Sequence, residues 1–223
     1  MIMKIREDVI IMNEKLMYSR IRNICGFLGM ILPYLALFSA GIISPKPGPT
    51  WWWSISATYY QSPALAGILT AASIVLMTYD GYTKIDNIVT SCAGIFGIMI
   101  VLFPCEVEWL DYNYRVGFFQ LPMKVSMIIH NISAGLFFSL LAINCLFLFT
   151  KTADLDNMTS QKKIRNKIYR ICGIGMFIFG IWQGIYQLFG LPKWITMINE
   201  IILLQLFGFS WLTKGGVFYR DKD

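Results

Sequence analysis

The stretch PTWWWSISATYYQSP, residues 49–63, sets three consecutive tryptophans, three serines and two tyrosines between two apolar segments. Trp and Tyr carry an apolar body and a polar tip, and they settle where one end is greasy and the other wet. The stretch therefore reads as a segment lying at a membrane–water interface. It is expected to roof a polar pocket in a bundle of membrane-spanning helices.

The composition around it agrees. The chain has 223 residues, 56% of them hydrophobic and 14% charged, with a mean hydropathy of +0.57. A soluble domain carries about 25% charged residues. With apolar runs spread along its whole length, this chain reads as an integral membrane protein. The formal charge of +6 is not a nucleic-acid signal, because membrane proteins gather Lys and Arg on their cytoplasmic side. One histidine excludes a multi-histidine metal site. The five cysteines, at 25, 92, 105, 145 and 172, form no CxxC pair, and four fall in or at apolar segments where a free thiol acts as a small hydrophobe.

Six apolar segments run roughly over 24–43, 63–79, 88–103, 125–150, 171–189 and 194–212. A spanning helix needs about 20 residues at 1.5 Å each, so the second and third are short and must borrow their flanks or sit inside the bundle. Pro63, Pro122 and Pro192 stand at or before the starts of segments two, four and six, where a missing N–H costs nothing, and Pro104 closes the third. The predicted fold is all-α: a six-helix polytopic bundle over 24–212, preceded by an amphipathic segment at 1–23 and followed by a tail at 213–223. Ile2, Ile5, Val9, Met12 and Leu16 recur at helical spacing in the first twenty residues, which predicts a helix lying on the membrane surface. That segment is too long and too acidic for a cleavable signal and is expected to be retained.

Orientation follows from Lys and Arg. With the N-terminus cytoplasmic, fifteen of the nineteen fall on inside pieces and four on outside loops, which places both termini in the cytoplasm. The outer pieces are then 44–62, 104–124 and the turn 190–193. Only Cys105 clearly faces that side, so no disulfide is expected there. The loop 151–170 is the most basic piece and reads as a topology determinant that also attracts anionic lipid. In YDGYTKID, Asp-Gly turn chemistry is the favoured reading, with Asp80 and Asp86 available to Lys84 or to the basic loop.

Polar groups at membrane depth are costly and face the interior, so they mark the site. His130 lies eight residues beyond Pro122 and Glu200 eight beyond Pro192, each on the order of 12 Å below the outer helix ends. Gln183, seven residues before Gly190, falls at nearly the same level. Ser126, His130 and Ser133 share a face, with Asn131 beside them, and Asn199 and Thr196 accompany Glu200. Gly173, Gly180, Gly184 and Gln187 form a stripe near Gln183, with Gly180 and Gly184 a GxxxG pair suited to close helix approach. Ser54, Ser56, Tyr59 and Tyr60 are placed to cover this layer, and Glu106 and Glu108 to hang over it. The candidate ligand-binding set is thus His130, Glu200, Gln183, Gln187, Asn131, Asn199, Ser126, Ser56, Tyr59 and Glu106.

Three readings of His130 and Glu200 stay open: a mutually satisfied buried pair, a ligand pocket, and catalysis with His130 as general base oriented by Glu200. No GxSxG motif supplies a nucleophile, and no spacing motif supports a metal or calls for a cofactor. The leading expectation is a protein that binds, or processes, a lipid or other amphiphile in an outward-facing pocket. The alternative is a homo-oligomeric, membrane-perturbing or pore-forming effector governed from its basic cytoplasmic face. A transporter is disfavoured, since the chain lacks an internal repeat.

Ser54, Ile55 and Ser56 before the second segment, and His130 in IIHNISAGLFF opening the fourth, resemble the six-helix family of DRAM-like autophagy modulators and GPI-anchor-remodelling membrane proteins. The resemblance spans about 47–150. It departs where that family continues Ile-Ser with Asp-Thr/Gly, since Ala57 and Thr58 follow here. It implies a lipid-related role and an outward-facing pocket.

Overall fold

The computed structural model describes residues 2–43, 53–111, 113–152, 158–189 and 194–220, with the side chains of 2–15, 43 and 187 outside that description. Among the described residues there are six α-helices: α1 (Ile2–Phe38), α2 (Ala64–Met77), α3 (Lys84–Leu102), α4 (Met123–Ile143), α5 (Ser160–Phe189) and α6 (Trp194–Lys214). Wider π-type turns extend α1 over Ser39–Ile43 and α4 over Asn144–Leu148. A short 3₁₀ helix, Ser56–Tyr60, precedes α2. The strands β1 (Arg115–Val116) and β2 (Leu121–Pro122) make a small antiparallel hairpin before α4.

Five of the helices are long and apolar enough to cross a membrane, as expected of a multi-pass membrane protein; α2, with 14 residues, is shorter. Pro63 and Pro122 are the residues that introduce α2 and α4, and Pro104 follows the end of α3. The N-terminal segment is helical and runs without a break into the first apolar span, so α1 is one helix rather than two separate pieces.

Each helix packs against its neighbours in sequence, and α6 returns to pack along α1, which closes the six into a ring. Small residues set the tightest crossings. A Cβ on Gly208 would lie 2.7 Å from the Gly26 carbonyl oxygen, and one on Gly26 would lie 2.9 Å from that of Gly208. The α1–α6 contact is therefore backbone against backbone. Ser73 of α2 makes the same kind of approach to α3, where a Cβ on Gly94 would sit 2.5 Å from its carbonyl oxygen and one on Gly97 would sit 2.1 Å from its hydroxyl. In lipid there is little hydrophobic drive between helices, so such close van der Waals packing is what holds them.

Part of the ring interior is filled by aromatic rings. Trp211, fully buried, meets Tyr79, Phe149 and Phe207 edge-on at centroid distances of 5.2, 5.3 and 6.1 Å. Phe149 meets Tyr169 at 5.4 Å, and Phe207 meets Phe137 at 6.2 Å. Offset and edge-on pairs of this kind are the favoured aromatic geometry. They form a plug across the ring axis. Beyond it, Asp86 at the start of α3 binds Lys151 at 2.5 Å and accepts from the Thr83 hydroxyl at 2.7 Å, while Asp80 accepts from the Asn87 amide. Of the two partners weighed for the carboxylates of YDGYTKID, Asp86 takes the one in the basic loop, and its other oxygen accepts from the Tyr82 N–H.

Candidate functional site

On the other side of the plug the ring encloses a cavity of about 850 Å³. Its volume falls within the range of small-molecule sites. Most of its polar residues belong to the roof, to the loop after α3 and to the roof-side turns of α4, α5 and α6, with Ser139 farther along α4, and all six helices contribute apolar wall.

The roof is the segment 53–62. Glu200 of α6 reaches it with both carboxylate oxygens. Oε2 accepts from the Ser54 hydroxyl at 2.8 Å and from the Ile55 N–H at 2.6 Å; Oε1 accepts from the Ser56 hydroxyl at 2.7 Å. The 3₁₀ helix that follows is braced by Thr58, whose hydroxyl donates to the Ile55 carbonyl at 2.6 Å. The Tyr60 hydroxyl donates to the Cys105 carbonyl at 2.7 Å, and its ring meets Trp109 edge-on. Ala57, Val107, Val116 and Met123 form a small second core beneath these contacts. The roof is therefore a folded unit made from two outer loops. Burial pushes the Cys105 thiol and the Tyr60 phenol well above their ordinary ranges, so neither ionises near neutral pH.

His130 stands on the opposite wall. Its Nδ1 lies 2.9 Å from the Phe103 carbonyl oxygen and 3.3 Å from that of Ile100. Carbonyls only accept, so Nδ1 carries a proton and Nε2 is left to the cavity that His130 lines. One turn earlier, the Ser126 hydroxyl donates to the Pro104 carbonyl at 2.8 Å. A helix leaves its last four carbonyls without intrahelical partners. At the end of α3 these are served by the polar stripe of α4, with the Phe118 N–H donating to the Leu102 carbonyl at 3.2 Å from the hairpin.

Gln183 belongs to a third unit. Its Oε1 accepts from the Asn199 amide at 2.8 Å, and its own amide donates to the Thr196 hydroxyl at 3.3 Å. Asn199 also donates to the Phe179 carbonyl at 3.1 Å. These bonds staple α5 to α6 near the roof.

Of the residues singled out from sequence, His130, Glu200, Gln183, Asn131, Ser56 and Glu106 all line the one cavity. Ser126 and Asn199 are buried behind the wall, where they hold backbone and Gln183, and Tyr59, itself part of the roof, packs on the apolar core. The Gln187 side chain, with Trp51 and Trp52, lies outside the described residues. Neither His130 nor Glu200 binds the other: each is committed to a different backbone partner. The orientation of His130 by Glu200, which a catalytic pair requires, is not made. Among the described residues no cluster of three or more His, Cys, Asp or Glu is placed to hold a metal ion.

The GxxxG pair behaves differently from its expected role. A Cβ on Gly180 or Gly184 would meet nothing within 4 Å, and the same holds for Gly135 across the gap on α4. All three line the cavity, beside Ile132 and Ile181, which are largely exposed. The glycines leave a slot between α4 and α5 instead of closing one. Leu69, Phe137, Phe138, Met176 and Phe177, which supply much of the apolar wall, carry no signal in the sequence, since each sits in an unbroken apolar run.

No protein-family model, no curated protein and no solved structure matches this chain.

Proposed function

We propose that the protein binds a lipid or other amphiphile in this cavity, with the head group under the roof and the chain along the apolar wall. The observation that carries the reading is the segregation within one cavity. Ser54, Ser56, Glu106, His130, Gln183 and Glu200 stand at one end, and Leu69, Phe137, Met176 and Leu203 stand towards the plug. The slot at Gly135, Gly180 and Gly184 provides lateral entry for a molecule already dissolved in the membrane.

In this reading all six helices span, with α2 reaching the interfaces through its flanks, and the first turns of α1 lie on the cytoplasmic surface. Both termini are cytoplasmic and the roof faces outward, in accord with the fifteen-to-four division of Lys and Arg. The resemblance of Ser54–Ser56 and His130 to the DRAM-like and GPI-anchor-remodelling proteins points the same way. The rival reading, an oligomeric pore, needs its pathway between subunits, because Trp211 and the rings around it lie across the axis of the ring.

The test is cross-linking with a photoactivatable phospholipid whose reactive group sits mid-chain, followed by peptide mapping. Adducts on Phe137–Ser139 and Met176–Phe177 are expected. Adducts confined to Ile174 and Ile178, which face outward from α5, would count against an internal site.

A further inference from the structure

The opposite end of the bundle holds a second cavity, of about 280 Å³, on the far side of the aromatic plug. Its wall brings together Arg22 of α1, Lys162 and Arg165 of α5, Lys214 at the end of α6 and Arg220 of the tail. No acidic side chain is among its described lining residues. Asp86, the nearest carboxylate of α3, is engaged by Lys151. Neutral groups hold Lys214 and face Arg22. Lys214 Nζ donates to the Phe149 carbonyl at 3.3 Å and stands 5.0 Å from the centroid of the Tyr82 ring and 5.2 Å from that of Phe149. Arg165 Nη1 donates to the Tyr219 carbonyl at 2.5 Å, which ties the tail to α5. The Arg22 guanidinium lies 5.4 Å over the Tyr79 ring, and its Nε is buried with no hydrogen-bond partner.

A buried guanidinium N–H without an acceptor is costly, and cations gathered from four segments repel one another. A single multivalent oxyanion answers both, since phosphate oxygens accept from Arg in a fork and from Lys as a point charge. Close backbone packing fixes where the cations stand. Gly215, where a Cβ would lie 1.8 Å from Asn23 Oδ1, presses the end of α6 onto α1, and Gly216 turns the chain at φ +84°. These two turns bring Lys214 and Arg220 to the same cavity as Arg22.

We infer that this cavity is a binding site for a phosphate-bearing anion, either a phospholipid head group of the adjacent leaflet or a soluble phosphate compound. The inference does not draw on the amphiphile cavity, which lies on the other side of the plug.

The test uses the full chain purified in a neutral detergent. Thermal melting is followed with inorganic phosphate against chloride at matched ionic strength. Native mass spectrometry is run in parallel with phosphatidylglycerol against phosphatidylcholine. The variants are Arg22→Gln, Lys214→Gln and Arg220→Gln, with Lys167→Gln, an exposed cation of α5 outside the cavity, as control. Arg220 is exposed, so its replacement leaves folding intact even where the two changes at half-buried residues do not. Stabilisation by inorganic phosphate, lost in Arg220→Gln and kept in Lys167→Gln, supports the site with a soluble anion as its ligand. Retention of phosphatidylglycerol over phosphatidylcholine with the same variant pattern, and no response to inorganic phosphate, supports it with a head group as ligand. No preference in either arm overturns the inference, as does a response that Lys167→Gln weakens as much as Arg220→Gln.

Discussion

Glu200 Oε2 accepts the Ile55 backbone N–H at 2.6 Å, and this contact fixes α6 to the roof across 145 positions of sequence. The two serine hydroxyls on either side of Ile55 complete the grip. Leaving a buried donor without its acceptor costs about 1–3 kcal/mol. Glu200→Ala is expected to loosen the roof by about 3 kcal/mol, the upper end of that range, since the serines can rotate to other acceptors but the N–H cannot. Hydrogen exchange at 55–62 should then quicken by about a hundredfold, at 1.4 kcal/mol per factor of ten. Glu200→Gln keeps one acceptor oxygen and should fall between. Exchange unchanged in Glu200→Ala would mean that the outer loops hold the roof alone.

His130 does a comparable task for α3. Replacing it with Ala strands the Ile100 and Phe103 carbonyls, a cost of about 1–3 kcal/mol for buried acceptors left unsatisfied. Ser126→Ala strands the Pro104 carbonyl alone and should cost less, about 1 kcal/mol. Thermal melting in detergent reads both. If His130→Ala melts as the wild type does while any bound amphiphile is lost, the residue serves the ligand and not the helix end.

These two residues show how far the sequence could be read. That both would face one interior cavity agrees with counting along α4 and α6 at 1.5 Å per residue. Their partners were not legible. Glu200 and His130 line one cavity, yet which carbonyl or N–H meets them depends on how the outer loops fold back. The helices themselves were legible from apolar runs, save that α1 continues unbroken from the N-terminal segment. Trp211 was hidden for the opposite reason: in a run of apolar residues nothing distinguishes the ring that plugs the axis from those that face lipid. Arg22 and Lys214 counted towards topology by their charge alone, and no periodicity brings residues of α1 and α6 to one cavity.

The proposed orientation has a direct check. Tyr114 lies in the loop that carries the hairpin and is 57% exposed, and Lys163 is exposed on the first turn of α5. In a background with all five cysteines replaced, Tyr114→Cys should react with a membrane-impermeant maleimide on intact cells. Lys163→Cys should react only after permeabilisation. The reverse pattern would invert the topology and turn the amphiphile cavity towards the cytoplasm.

The slot between α4 and α5 gives the sharpest test of lateral entry, because filling it should not disturb the fold. A side chain at Gly135 or Gly180 meets nothing within 4 Å at its Cβ. Gly in a helix interior is about 1 kcal/mol less favourable than Ala, so adding a side chain there should leave the melting temperature unchanged or raise it. Gly135→Leu combined with Gly180→Leu is therefore expected to keep the protein folded while sharply reducing the amphiphile that co-purifies, read by native mass spectrometry. Gly208→Leu provides the contrast. Its Cβ would be driven to 2.7 Å from the Gly26 carbonyl oxygen, a backbone atom with no room to yield, and α1 should part from α6 with a fall in melting temperature. Should the filled slot retain its amphiphile in full, the ligand enters by another route or lies outside the ring. A double variant that melts early would instead mean that α4 and α5 close on each other at that point.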